Sequence, residues 1–156
     1  MKITLLLISK TSDSRLESLI GDYVSRLKHY VPFEIKTLEP KNRGTQDAEA
    51  LIKQQEGELI LKSVPASADV VLLDERGKQF RSIEFADYLQ KKMSSGRDVV
   101  FVVGGPFGFS QDVYDRANGL ISFSKMTFSH QMIRLLFVEQ IYRAMTILRH
   151  EPYHHE

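Results

Sequence analysis

The chain has 156 residues, the size of one ordinary domain, and its 42% apolar and 26% charged residues exclude disorder along the whole length. Its 21 Lys and Arg face 20 Asp and Glu, a formal charge of +1, so bulk charge does not bind nucleic acid and only a local basic patch is open. There is no cysteine, which excludes disulfides, thiolate zinc sites and cysteine nucleophiles and fits a reducing compartment.

The opening Met1–Ile8 run is apolar but stops at Ser9-Lys10-Thr11-Ser12-Asp13. That is too short for a secretory core, and no stretch is long enough to span a bilayer. Ile3–Ile8 therefore reads as a strand buried on both faces. Leu16, Leu19, Ile20, Val24 and Leu27 then recur at helical spacing over Ser14–His29, behind the capping candidates Ser12 and Asp13. Pro32 ends that helix, and Phe33–Leu38 alternates as a strand. Glu39–Thr45 carries Pro, Asn and Gly among charges and is expected to be a loop, followed by a largely polar helix over Gln46–Ser63.

The second half carries stronger signals. Val70–Leu73 is a short buried strand ending at Asp74-Glu75-Arg76-Gly77, and Ser82–Met93 is a helix that Ser82 can cap, with Ile83, Phe85, Ala86 and Leu89 on its apolar face. Asp98–Val103 is another buried strand that runs into Gly104-Gly105-Pro106-Phe107-Gly108. A short helix is predicted at Gln111–Ala117, a strand near Leu120–Phe123, and a long helix from Ser129 to Arg149. Strands separated by helices give an α/β fold, a mainly parallel sheet flanked by helices. With no repeat, low-complexity tract or linker, residues 1–156 form a single domain.

Ligands of open parallel sheets sit outside the carboxyl ends of the strands. That rule selects Leu73–Gly77, Gly104–Gly108 and Ser122–Phe128. In the Gly104–Gly108 loop, two glycines let the backbone approach a ligand and Pro106 stiffens the turn; a tight connection that binds nothing is the alternative. It fits neither the dinucleotide fingerprint nor the phosphate loop, so a nucleoside-like ligand held by backbone groups is favoured over a phosphate. Ser122-Phe123-Ser124-Lys125-Met126-Thr127-Phe128 can offer amides and hydroxyls to an adenosine, or can be a helix entry capped by Thr127 or Ser129.

The last helix is apolar nearly all round, with Met132, Ile133, Leu135, Leu136, Phe137, Val138, Ile141, Tyr142, Met145 and Leu148. One small domain covers a single face of such a helix, which points to a homodimer interface; burial within one chain is the alternative. His130 and Arg134 share a face at its start, and an arginine on an apolar stripe needs a carboxylate or an anionic substrate. Glu139 and Arg143 read as an ordinary i,i+4 pair, with no catalytic role for Glu139. The tail, Arg149–Glu156, joins Tyr153 to His154 and His155, chemistry suited to single-stranded RNA, unless it is a solvated terminus. No ligand at suitable spacing completes a metal site at His154-His155. A triad of Ser124, His130 and Asp74 has no nucleophile elbow behind it.

Together, Leu73–Lys78, Phe85-Ala86, Val103–Gly108, Ser122–Thr127, His130-Gln131, Arg134, Glu139–Ala144 and Pro152-Tyr153-His154 resemble the RlmH family of SPOUT methyltransferases, which methylate a pseudouridine of large-subunit ribosomal RNA. The resemblance spans the whole chain. It implies a C-terminal trefoil knot, which periodicity cannot reveal because knots are rare exceptions to connection rules. It implies S-adenosylmethionine held bent in that knot. Leu73, Gly105, Phe123, Ser124, Lys125, Met126, Thr127 and Phe128 match the family's cofactor-contacting positions, with Gly104 and Gly108 as shape requirements beside them. It further implies an obligate homodimer and a cytoplasmic enzyme acting on the ribosome. Arg143, Tyr153 and His154 are the RNA-binding candidates, the tail residues serving the partner's site. Two departures stand out: Phe123 where leucine is more frequent, and His155-Glu156 where many members carry Lys or Arg.

The expected chemistry is direct in-line transfer to N3 of the pseudouridine without a covalent enzyme intermediate. His130 and His154 are the candidates to take the N3 proton, and Arg134 to hold the RNA backbone or the developing anion. Two alternatives remain: a non-enzymatic nucleotide- or RNA-binding module on the same fold, and a small-molecule enzyme on a flavodoxin-like sheet.

Overall fold

Five strands form one parallel sheet in the order β2-β1-β4-β3-β5. They are β1 (Ile3–Ile8), β2 (Phe33–Leu38), β3 (Asp69–Gln79), β4 (Val99–Val103) and β5 (Gly119–Ser122). Between and after them run α1 (Ser14–Leu27), α2 (Glu49–Ser63), α3 (Ser82–Ser94), α4 (Gln111–Arg116) and α5 (Met132–Leu148). This arrangement comes from a computed structural model describing residues 1–41 and 48–156; the expected loop over 42–45 and the start of the helix at Gln46 lie outside the described residues.

β1 and β4 are buried at every position because each has a strand on both sides and helices on both faces. Alternation within them splits the core in two. Ile3, Leu5, Leu7, Val99, Phe101 and Val103 face α1, α3 and α5, meeting Leu27, Leu89, Phe137 and Ile141. Leu6, Ile8, Val100 and Val102 face the opposite layer, meeting Ile60 of α2 and Val113 of α4. The edge strand β2 has one neighbour and exposes Glu34, Lys36 and Thr37.

The strand expected over Val70–Leu73 is longer, and the difference shapes the ligand edge. β3 continues to Gln79 across a register break: Leu73 and Lys78 both pair with Ile121, and residues 74–77 bulge between them. The polar Asp74–Gly77 segment, read as a strand end, is that bulge. A Cβ on Gly77 would overlap the Ile121 main chain, so glycine lets β5 lie against it.

Helix ends follow local chemistry. Asp13 caps α1 by accepting from the Arg15 amide at 2.8 Å. Ser82 is the first helical residue of α3 rather than its cap; the Glu84 carboxylate accepts from the Arg81 amide, and the Ser82 hydroxyl reaches Gln140 of α5 at 3.0 Å. Ser129 accepts from the Met132 amide at 3.0 Å where α5 begins. The chain itself buries Phe137, Val138, Ile141, Ala144 and Met145, while Met132 stays 43% exposed and Leu135 and Leu136 are half-buried. No helix of the described residues is long and apolar enough to cross a membrane.

An aromatic column ties β4 to the ligand edge. Phe137, fully buried, packs on Phe101 with ring centroids 4.9 Å apart and stacks on Phe123 at 5.9 Å, and Phe123 meets Phe85 edge-on at 6.2 Å. Phe137→Ala is expected to lower the unfolding free energy by about 3–5 kcal/mol in urea denaturation. A loss under 1 kcal/mol would remove the column from the account.

Candidate active site

Three strand ends converge on one cleft of about 570 Å³. The β3 bulge contributes Leu73, Asp74, Glu75 and Arg76, the loop after β4 contributes Gly104 to Phe109, and the segment after β5 contributes Ser122, Phe123, Ser124, Met126, Thr127, Phe128 and His130. These are the three segments that the parallel-sheet rule selects.

The glycine loop is shaped by what a side chain would meet. A Cβ on Gly105 would stand 2.6 Å from both carboxylate oxygens of Glu56, a buried residue of α2, and one on Gly104 would stand 2.9 Å from the Phe109 ring. Gly108 has φ +81°, a conformation that favours glycine, and its amide closes the turn on the Gly105 carbonyl at 3.2 Å. The loop therefore presents bare main chain to the cleft. Across from it, Ser122 Oγ donates to the Ser124 carbonyl at 2.8 Å and Ser124 Oγ accepts from the Met126 amide at 2.9 Å, which folds the post-β5 segment on itself.

The bulge is braced by Asp74. Its carboxylate accepts from the Tyr114 hydroxyl of α4, from the Arg76 amide at 2.8 Å and from Arg76 Nε at 3.3 Å. Burial alone would push this carboxyl up, but those bonds hold it below the usual carboxylate range. The Arg76 guanidinium lies 4.6 Å over the Tyr114 ring.

Of the residues expected to contact a cofactor, all but Lys125 line the cleft; Lys125 is exposed and outside its walls. His130 lines it as well. Arg134 does not, and its expected RNA contact needs correcting. The side chain is 0% exposed and donates to the Ile8 carbonyl at 2.8 Å, Thr11 Oγ1 at 3.1 Å and the His130 carbonyl at 3.0 Å. Burial pulls its pKa below the usual guanidinium value, with Glu39 opposing. The arginine's hydrogen-bond partners are carbonyls and a hydroxyl, and the carboxylate that acts on it, Glu39, does so through its charge. With Gln131, which accepts from the Ser12 amide at 2.9 Å, Arg134 clamps the end of β1 to the start of α5.

The tail is docked rather than solvated. Glu139 Oε1 accepts from Arg143 Nη2 at 2.6 Å, from Arg143 Nε at 3.1 Å and from the Tyr153 hydroxyl at 3.0 Å. Arg143 Nη1 lies 3.1 Å from His154 Nδ1; a guanidinium only donates, so Nδ1 accepts and the neutral ring carries its proton on Nε2. Burial, together with the Tyr23 and Glu139 contacts, raises the Tyr153 pKa. Tyr30 donates to Glu151 at 2.6 Å, which pushes its own pKa up to about 12. Arg143, Tyr153 and His154 are thus brought together, but around Glu139 and away from the walls of this chain's cleft. Glu139, read from sequence as half of an ordinary i,i+4 pair, is the hub. Tyr114 and Glu56 were also missed, since each reaches the site from a separate helix. Among the described residues no three His, Asp or Glu cluster to hold a metal.

The family model described as "Predicted SPOUT methyltransferase" matches residues 1–154. Proteins named "Ribosomal RNA large subunit methyltransferase H" are similar over full length: one from Parabacteroides distasonis is 54% identical over 157 residues, covering 100% of each chain. Another from Flavobacterium psychrophilum is 50% identical, again over 100% of each chain. Among solved structures, a ribosomal RNA small subunit methyltransferase E from Neisseria gonorrhoeae bound to S-adenosyl methionine aligns with TM-score 0.51 and 15% identity, covering 95% of this chain and 66% of that one. At that identity the likeness speaks to the fold.

Two outcomes follow from the geometry. Glu139→Gln, which weakens the hub, should speed amide exchange across residues 150–156 at least tenfold by mass spectrometry, with exchange in β1 and β4 unchanged. Uniform exchange would deny the hub its role. Arg134→Met leaves the Ile8 carbonyl without its donor and should cost about 2–3 kcal/mol in denaturant unfolding. A neutral result would show that the clamp contributes nothing to stability.

Proposed function

The chain belongs to the SPOUT methyltransferase family, and from that premise we propose that it methylates large-subunit ribosomal RNA with S-adenosylmethionine as donor. The finer reading is transfer to N3 of a pseudouridine on the assembled ribosome, by a cytoplasmic homodimer. The observation that carries it is the convergence of three strand-end loops on one cleft whose glycine pair leaves bare main chain on the wall.

The cleft fits the donor. Its volume of about 570 Å³ suits a nucleoside-sized ligand, and apolar Leu73, Phe123 and Phe128 alternate with main-chain donors and acceptors at Gly104, Gly105 and Ser124. Leu73, Gly105, Phe123, Ser124, Met126, Thr127 and Phe128 would hold the donor, with Gly104 and Gly108 shaping the turn beside it. When bound, S-adenosylmethionine supplies an electrophilic methyl group on a sulfonium, itself a good leaving group. The residues of the chain then have two tasks: to align the acceptor nitrogen and to take its proton. His130, on the cleft wall, is the candidate base within one chain. His154 reaches a cleft only from a second copy, since the tail does not line its own. The dimer is supported by the exposed apolar side chains of Met126 at 77%, Phe128 at 40% and Met132 at 43%. The trefoil knot is what membership of the family implies. Near-neutral net charge supports recognition of ribosome shape over electrostatic attraction.

Methyl transfer from labelled S-adenosylmethionine to large ribosomal subunits, followed by nucleoside mass spectrometry, should give N3-methylpseudouridine, with little product on naked stem-loop RNA. Binding without transfer would favour the non-enzymatic module. Either His130→Ala or His154→Ala should lower the single-turnover rate at least tenfold; full rates in both would exclude histidine as the base.

A further inference from the structure

A second cavity of about 780 Å³ adjoins the cofactor cleft, between α2, α4 and the glycine loop. The two share the wall formed by Arg76, Phe107, Phe109 and Tyr114. Their charges differ. Asp74 and Glu75 line the first, whereas among the described residues none of those lining the second is acidic. Lys53 of α2 stands in the second cavity and, among the described residues, has no ion pair. The Arg76 charge is balanced by Asp74 at 3.3 Å, which leaves Lys53, among the described residues lining this cavity, as a cation with no ion pair.

The shared wall is also a stacking surface. The Arg76 guanidinium covers Tyr114 at 4.6 Å with its side chain 67% exposed, and Phe107 is 40% exposed beside it. Gln54 and Gln111 lie on either side, and Gln111 Nε2 donates to Asp115 at 2.8 Å, leaving its carbonyl oxygen as an acceptor. A planar cation on an aromatic face, a neighbouring lone ammonium and flanking amides match one ligand chemistry: a base to stack, a phosphate for the lysine, and base edges for the amides. An acidic peptide would satisfy the lysine but leave the stacking wall unused.

We propose that this cavity is a nucleotide subsite, occupied by a phosphorylated nucleoside of the RNA strand that flanks the residue being methylated. The proposal rests on the RNA-methyltransferase reading above. Because the subsite shares a wall with the donor cleft, seating one nucleotide here sets the register in which its neighbour reaches the methyl group. Lys53 touches the second cavity alone and is a positioning residue rather than a catalytic one.

The test compares full-length wild type, Lys53→Glu and Lys53→Arg. Binding to large ribosomal subunits is measured as a function of KCl, with calorimetric titrations of S-adenosylmethionine and of AMP. Lys53→Glu should raise the subunit Kd about tenfold and lower the slope of log Kd against log salt by about 0.7, the share of one single-strand phosphate contact. Lys53→Arg should stay within about twofold of wild type, and S-adenosylmethionine affinity should be equal in all three. Ultraviolet cross-linking of the wild-type complex should leave a nucleotide on the peptide carrying Phe107 or Tyr114. Unchanged subunit affinity and salt slope in Lys53→Glu would overturn the proposal. So would saturable AMP binding that the variant loses while subunit binding is kept, since a free nucleotide would then be the occupant. A cross-link from Phe107 or Tyr114 to a ribosomal protein would overturn it in favour of a peptide. Wild type that binds subunits without methylating them would refute the enzymatic reading alone, because the binding comparison and the cross-link still report on the subsite.

Discussion

The carboxyl edge of the sheet is packed main chain against neighbour so closely that three positions have no room for a side chain. Gly77 lies on the Ile121 backbone, Gly104 under the Phe109 ring and Gly105 under the Glu56 carboxylate. Everything functional in the molecule is arranged around that constraint. β3 can lie against β5 because Gly77 has no Cβ, and the glycine loop can lie close to Phe109 and Glu56 because Gly104 and Gly105 have none. The constraint is strictest at Gly77, where a Cβ would meet main chain; at Gly104 and Gly105 it would press on the Phe109 ring and the Glu56 carboxylate, which would have to move.

The rest of the structure holds this edge in place. The Phe101–Phe137–Phe123 column connects the most buried strand to the cleft wall, so core packing and ligand geometry are one problem. Arg134 and Gln131 fasten the β1–α1 turn to the start of α5, fixing the exit of the post-β5 segment. Farther along α5, Glu139 gathers Arg143 and Tyr153, and through Arg143 it orients His154. One helix thus carries a structural clamp at its start and the tail's anchor near its end. The same helix leaves Met132 exposed.

Much of this was legible in the sequence. β1 and β4 are unbroken apolar runs because both faces are covered, and no other reading fits such short segments. The three ligand segments followed from parallel strands and their carboxyl ends alone. Side-chain destinations were harder. Arg134 looks like an RNA contact because an arginine on an apolar stripe demands a partner, and sequence cannot show that the partners are the carbonyls of Ile8 and His130. Glu139 looks like half of an ordinary i,i+4 pair because its other partner, Tyr153, arrives from the far side of a chain reversal. The β3 bulge was read as a strand end because charged residues and a glycine normally stop a strand, and only tertiary contact with Ile121 carries it on.

The cleft is built from three segments distant in sequence, and the proposal makes it the donor site. Amide chemical-shift mapping of isotope-labelled protein titrated with S-adenosylmethionine tests this directly. The largest shifts should fall together at Leu73, at Gly104, Gly105 and Gly108, and across Phe123–Phe128, saturating with a single affinity. Shifts centred on another surface, or none at saturating donor, would contradict it.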